Sequence, residues 1–328
     1  MSQQINTRSF SALENEKIAL LFPGQGSQYV GMAKELHHTF QAAREVFAEA
    51  GDSLGQDLAH TCFDADREEL NETANTQPAI LTASIATLKV LGQEFGIKPI
   101  MLAGHSLGEY SALVAANVVS FYDAVQVVRA RGKFMQSAVP LGHGTMAAVL
   151  GMETGHIEEI CHATTDTEKD KVVEPANYNC PGQIVISGHI SAVDEATQKA
   201  REAGASRAVK LPVSAPFHCS LMEPAARKLA EKFSAVRISE PEIPVISNVD
   251  ADTNYSAAGT RDLLVRQVSN AVRWEESMNL MIARGVTRVI EVGPGRVLSG
   301  LMKRINRRIK THNIETCADL KKLAEALG

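Results

Sequence analysis

The chain has no apolar run approaching the roughly 18 residues that cross a bilayer, which argues against insertion in a membrane. Its opening stretch, Met1 to Arg8, is polar and has no apolar signal core, so secretion is not expected. Cysteine is sparse. Cys62, Cys161, Cys180, Cys219 and Cys317 are odd in number, scattered, and make no C-x-x-C pair. They read as reduced thiols of a cytoplasmic protein rather than a disulfide frame or a zinc site, and no metal site is expected. Positive charge is in deficit, with 33 Lys and Arg against 38 Asp and Glu and a net charge of −5. That disfavours nucleic acid as the main partner and leaves local basic patches open. There is no internal repeat and no low-complexity tract. What remains is an ordinary folded chain: 328 residues, 45% hydrophobic and 22% charged, enough for one large domain or two smaller ones.

From about residue 16 to 138 strand and helix alternate. Lys17 to Phe22 is a strand that stops at Pro23-Gly24-Gln25-Gly26, and Gln41 to Ala50 and Pro78 to Glu94 carry helical apolar spacing. This is the rhythm of a parallel sheet with helices on its faces. Between about 143 and 211 the order changes. A strand over Thr145 to Leu150, a helix over Glu153 to Ala163, strands over Val172 to Ala176 and Gln183 to Ser187, a helix over Ala192 to Ala203 and a strand over Arg207 to Leu211 form a ferredoxin-like β-α-β-β-α-β series. It reads as a small subdomain inserted in the larger one. Alternation resumes after Pro212, with strands near Pro244 to Ser247 and Arg288 to Val292.

The most informative stretch is Gly104-His105-Ser106-Leu107-Gly108. A Gly-x-Ser-x-Gly arises by composition in roughly one in ten chains of this length, so its setting carries the weight. It stands between an apolar strand, Pro99 to Ala103, and a helical segment, Glu109 to Ala116. That is the nucleophile elbow: the glycines allow a tight turn, and the serine hydroxyl is presented where unpaired helix N–H groups can receive an oxyanion.

A serine nucleophile needs a base. His105 adjoins Ser106, but successive side chains diverge at such a turn, so it is expected to pack locally. His37, His38, His60, His156, His162 and His312 lie in polar surroundings and read as surface residues. His218 sits where the chain re-enters the large domain, at the edge of an inter-subdomain cleft, and the pattern leaves it open between general base and ordinary polar residue. Arg131 stands out by periodicity. In a helix opened by the capping box Ser120-Phe121-Tyr122-Asp123, it shares one face with Ala124, Val127, Val128 and Met135. A guanidinium in an apolar stripe needs an anion, supplied either by an internal salt bridge or by a substrate carboxylate. The loop Phe22 to Gln28 lacks the lysine and spacing of a phosphate-binding P-loop; it is either a second source of oxyanion N–H or only a turn. The basic run Lys303 to Lys310 is either a solvated helix face or an attractor of an acidic protein or phosphorylated group.

Seven segments in order carry a resemblance: FPGQGSQ from Phe22, GHSLGEYSALV from Gly104, RGKFMQ from Arg131, ANYNCPGQIVISG from Ala176, LPVSAPFHC from Leu211, LVRQ from Leu264 and EVGPG from Glu291. Over nearly the whole chain, about Lys17 to Ile309, the sequence resembles the malonyl-CoA:acyl carrier protein transacylases of fatty-acid synthesis. The resemblance implies an α/β-hydrolase-like domain over 17–142 and 212–328, a ferredoxin-like subdomain over 143–211 and a polar extension over 1–16. It implies Ser106 as nucleophile and His218 as base, the histidine held by the backbone carbonyl of Gln267. The N–H groups of Gln25 and Leu107 would form the oxyanion hole, Arg131 would hold the malonyl carboxylate, and Phe217 would disfavour an α-methyl group.

The implied reaction is ping-pong transfer of malonyl from malonyl-CoA to the phosphopantetheine thiol of acyl carrier protein, with no metal or redox cofactor, by a cytoplasmic monomer. The same chemistry serving polyketide synthesis is the near alternative. A serine esterase shares the elbow, but Arg131 is awkward for neutral substrates. A non-catalytic carrier-binding subunit would not need Ser106, His218 and Arg131 together.

Overall fold

The computed structural model describes residues 16–213 and 215–327. Among them run nine strands: β1 Ile18–Phe22, β2 Met101–Gly104, β3 Gly144–Leu150, β4 Val173–Cys180, β5 Gln183–His189, β6 Arg207–Lys210, β7 Val245–Ile246, β8 Arg288–Val292 and β9 Lys310–Ile314. A parallel sheet has the order β7-β2-β1-β8-β9, and an antiparallel sheet the order β4-β5-β3-β6. The expected α/β class is what is observed, with the two sheets separate.

β1 explains why the first sheet is parallel and covered on both faces. All five of its residues are apolar and buried. Ile18, Leu20 and Phe22 join one core while Ala19 and Leu21 join the other, so both faces need helices. Pairing of Phe22 with Gly104 brings the ends of β1 and β2 together. The loop after β1 and the elbow after β2 therefore open side by side at one carboxyl edge, where open α/β sheets place their sites.

The antiparallel sheet has the connectivity β3-helix-β4-β5-helix-β6. Helices Thr154–Thr164 and Ile190–Glu202 enclose a third core with it. β4 is irregular between Pro175 and Asn177, where proline has no N–H for the ladder. There the chain turns to a second partner: Val272 N–H donates to the Ala176 carbonyl and Tyr178 N–H to the Val272 carbonyl, both at 2.9 Å. The small sheet is thereby tied to the segment that joins helices Thr260–Ser269 and Trp274–Ala283.

Some elements differ from expectation. The helix expected from Pro78 starts at Thr73. Proline cannot donate to the Ala74 carbonyl four residues back, and Arg129 Nη1 donates to it instead at 2.7 Å. The basic run is not one helix face: Lys303 and Arg304 end helix Val297–Ile305, and Lys310 begins β9. Two of the histidines expected at the surface are partly buried. The His37 ring packs edge-on against Phe47 and Phe63, and His312 lies beside Arg288. Residues 1–15 of the polar extension lie outside the described residues; Glu16 pairs with buried Arg288 and with Lys310.

Candidate active site

The elbow needs glycine at both ends for steric reasons. A Cβ on Gly104 would lie 1.9 Å from the Gly108 carbonyl, and one on Gly108 would lie 2.0 Å from the Phe22 carbonyl oxygen. Ser106 between them has φ of 51°, a left-handed conformation that a non-glycine residue holds only when its surroundings force it. The force comes from Asn248. Its Oδ1 accepts the Ser106 N–H at 2.7 Å and its Nδ2 donates to the Gly104 carbonyl at 2.8 Å. His105 N–H donates to the Phe22 carbonyl at 3.0 Å, fastening the turn to β1. The His105 side chain packs locally, against Trp274, with Nε2 2.9 Å from Asn179 Oδ1.

His218 is the second strained residue, with φ of 60°. Its Nδ1–H donates to the Gln267 carbonyl at 2.8 Å, which leaves the Nε2 lone pair to accept from the Ser106 hydroxyl at 2.7 Å. Burial first, and then the Arg131 charge, push the His218 imidazole down to about 3, against the opposing pull of its bond to Gln267. At neutral pH His218 is therefore uncharged and able to accept a proton.

Arg131 is 1% exposed, on helix Phe121–Ser137. Nη1 donates to Gln77 Oε1 at 3.0 Å; Nη2 donates to Gln267 Oε1 at 2.9 Å and to Ser106 Oγ at 3.2 Å. The guanidinium carbon lies 5.5 Å from the centre of the Tyr110 ring. No carboxylate lies within ion-pairing distance of it among the described residues. The internal salt bridge left open by the sequence is thus absent, and the cation faces a cavity of about 110 Å³.

Ser106, His218 and Arg131 line that cavity together with Gln25, Leu107 and Phe217. The elbow N–H groups of Gly108, Glu109 and Tyr110 bond back to carbonyls within the turn, whereas those of Leu107 and Gln25 have no acceptor among the described residues. Gln25, Leu211 and Val213 also line a wider groove of about 950 Å³, which reaches the exposed Tyr29 and Val30.

Three polar residues around the site escaped the sequence reading. Asn248 holds the elbow, Gln77 holds Arg131, and Glu109 accepts from Gln267 Nε2 at 2.5 Å and from Asn248 N–H at 3.0 Å. Burial pushes the Glu109 carboxyl up to about 7, although the Tyr255, Gln267 and Asn248 bonds pull the other way. Glu109 carried a usable signal, as a lone carboxylate at the start of an otherwise apolar helix. Asn248 and Gln77 carried none. The EVGPG motif serves the fold: the buried Glu291 carboxylate accepts the Leu298 and Ser299 N–H groups at the start of helix Val297–Ile305, at 3.0 and 2.8 Å.

Comparison with known proteins shows what the chain as a whole is similar to. The acyl transferase domain family matches residues 19–324. A malonyl CoA-acyl carrier protein transacylase of Bacillus subtilis is 53% identical over 295 residues, 90% of this chain and 92% of that protein. The crystal structure of an acyl carrier protein S-malonyltransferase from Vibrio cholerae is 45% identical, with a TM-score of 0.91 over 94% of this chain and 100% of that one. A malonyl-transacylase solved with a type II PKS acyl-carrier protein is 43% identical, with a TM-score of 0.92 over 95% of this chain and 100% of the other.

Proposed function

Because the chain belongs to the malonyl CoA-acyl carrier protein transacylase family, an acyltransferase family, we propose that it moves malonyl from malonyl-CoA to acyl carrier protein through Ser106. The observation that carries the reading is the placement of Arg131. A buried cation with no carboxylate within ion-pairing distance among the described residues stands 3.2 Å from the candidate nucleophile, in a cavity of small volume. An acyl group bearing its own carboxylate supplies the missing anion.

The steps follow from the hydrogen bonds. As Ser106 Oγ attacks the thioester carbonyl, its proton passes to His218 Nε2, and Gln267 holds the ring through Nδ1–H. The tetrahedral oxyanion takes the N–H groups of Leu107 and Gln25. Collapse expels coenzyme A as its thiol, with the proton returned by His218, and leaves malonyl-serine. The phosphopantetheine thiol then enters along the groove beside Gln25 and Val213 and gives its proton to His218. It attacks the ester, and Ser106 is released with that proton. A malonyl carboxylate on Arg131 also offsets the charge that lowers His218, so the base strengthens when the correct acyl group is bound. No metal or redox cofactor enters these steps. Residues 143–211 act as the small subdomain over the cleft, and we take the enzyme to be a cytoplasmic monomer; no helix among the described residues is long and apolar enough to cross a membrane.

The test is intact-mass spectrometry of the protein mixed with malonyl-CoA, with Ser106→Ala beside it. A malonyl-sized mass gain, absent in the variant and discharged by holo acyl carrier protein, is the expected result. No adduct on the parent overturns the reading. The structural neighbour bound to a polyketide carrier favours a second reading, in which the acceptor serves polyketide synthesis. Discharge rates with carrier proteins of both kinds separate the two.

A further inference from the structure

Gln267 is bonded on every side. Its backbone carbonyl receives His218 Nδ1–H at 2.8 Å, and its side-chain oxygen receives Arg131 Nη2–H at 2.9 Å. Its side-chain nitrogen donates to the Ser106 carbonyl at 2.8 Å and to Glu109 Oε2 at 2.5 Å. One residue thus touches base, anion-binding cation and elbow, and the direction of its amide decides whether Arg131 meets an acceptor or a donor. Two acceptors hold the NH2 end in place: the Ser106 carbonyl and the Glu109 carboxylate. The other Glu109 oxygen, Oε1, is fixed in turn by the Tyr255 hydroxyl and the Asn248 N–H.

We propose that Glu109 is a positioning residue for acyl selection: its carboxylate, clamped by Tyr255 and Asn248, orients the Gln267 amide so that its oxygen anchors Arg131 toward Ser106. The inference rests on the malonyl-transfer reading given above. The decisive feature is geometric: Oε2 of Glu109 receives the Gln267 NH2 and Oε1 receives Tyr255 and Asn248, and above about pH 7, where the carboxyl is ionised and the comparison is made, both oxygens accept and neither donates. In Glu109→Gln the amide oxygen must stay at the Oε1 position to accept from Tyr255 and Asn248. The new NH2 then confronts the NH2 of Gln267. Relief comes by turning the Gln267 amide over, which gives up its bond to the Ser106 carbonyl, points a donor at the guanidinium and frees Arg131 from one of its two amide anchors. The Gln267 backbone, and with it His218, is untouched by such a flip.

The consequence is a split that a general loosening of the fold does not produce. Malonyl-CoA brings a carboxylate for Arg131 to hold, whereas acetyl-CoA brings none, so a misplaced guanidinium should cost the first donor more than the second. Glu109→Gln is expected to lower the malonyl-over-acetyl preference about tenfold, the effect of one lost hydrogen bond to a charged group. The loss should appear mainly in KM for malonyl-CoA, with the acetyl rate little changed. Gln267→Met, which removes the linking amide and keeps the backbone carbonyl, also loses the bond to the Ser106 carbonyl, so both rates should fall; the malonyl-over-acetyl preference should fall with them, and the variant serves if Glu109→Gln does not fold. Tyr255→Phe removes a clamp on Oε1 but leaves the carboxylate facing Gln267; it is expected to lower the melting temperature and keep the preference.

The experiment measures acyl-enzyme formation from both donors by intact mass, with melting curves, on the parent and the three variants. An unchanged preference in Glu109→Gln, or an equal loss with both donors in Glu109→Gln and Gln267→Met, overturns the inference. Absence of malonyl-enzyme in the parent overturns the underlying reading instead, so the two failures are distinguishable.

Discussion

Arg131 Nη2 donates to Ser106 Oγ at 3.2 Å, so the group proposed to select the acyl chain touches the atom proposed to receive it. Selection and reaction are therefore coupled through one contact. Replacing Arg131 by alanine removes a hydrogen bond to a charged group worth about 1.5–3 kcal/mol, and the malonyl-over-acetyl preference should fall roughly 10–150-fold. The same change relieves the push on His218, whose NMR titration should move toward higher pH. Acylation rates with both donors check the first outcome. An unchanged ratio would remove Arg131 from substrate binding.

Asn248→Ala tests the clamp on the elbow. Ser106 N–H and the Gly104 carbonyl both lose their partner, at a backbone conformation that does not persist unaided. Two buried groups left unsatisfied cost about 1–3 kcal/mol each. A fall of about 2–6 kcal/mol in unfolding free energy is expected, with a lower acylation rate even where the variant remains folded. Urea denaturation and acyl-enzyme formation measure the two effects. A normal rate at reduced stability would show that the elbow is held by its glycines and β1 alone.

Much of this arrangement was legible in residue order, for reasons that differ from residue to residue. β1 and the elbow strand are short apolar runs ended by glycine or proline, and the helix of Arg131 announces itself by a capping box and a 3.6-residue stripe. Arg131 was visible because a cation on an apolar face breaks a pattern. Glu109 breaks a similar pattern, one residue beyond the Gly-x-Ser-x-Gly. Gln267 works partly through its backbone carbonyl, which no side-chain type reveals, and resemblance alone pointed to it. Asn248 follows a two-residue strand far along the chain from Ser106, and only the pairing of β7 with β2 makes them neighbours. The start of the Thr73–Phe95 helix was hidden because its proline is compensated by an arginine from another helix.

His218 and Glu109 should leave opposite marks on stability as pH changes. His218 falls from an ordinary 6.5 to about 3 in the fold, so between those values the unfolded chain holds a proton that the native one lacks. Stability rises with pH there, by about 1.4 kcal/mol per unit. Glu109 rises from 4.5 to about 7, so between those values the native state holds the extra proton and stability falls with pH by a similar amount. Between about pH 4.5 and 6.5 the two slopes cancel in the parent. Relative to the parent, His218→Gln should lose stability with rising pH across this window, and Glu109→Gln should gain it. Groups common to all three proteins, His105 included, drop out of these differences. Urea unfolding at pH 5 and 6.5 measures both, and parallel profiles would count against the assigned protonation states.

Phe217 offers a test of shape that is independent of charge. Its ring lines the cavity next to His218 and is 7% exposed, so it has little freedom to withdraw from an incoming group. Malonyl and methylmalonyl carry the same carboxylate and differ by one methyl, worth about 1–3 kcal/mol when a pocket resists it. Phe217→Leu shortens the wall without emptying it and should raise the methylmalonyl-to-malonyl ratio roughly tenfold, mostly through faster methylmalonyl acylation. Phe217→Ala should raise it further but at about 3–5 kcal/mol of stability, because a buried ring is lost. Arg131→Ala, by contrast, should weaken both donors alike and leave that ratio near the parent's, since both need the same cation. Competition between the two donors, read as the masses of the two acyl-enzymes, distinguishes the outcomes. A ratio that moves with Arg131 and not with Phe217 would mean that the methyl group lies against the cation rather than the ring.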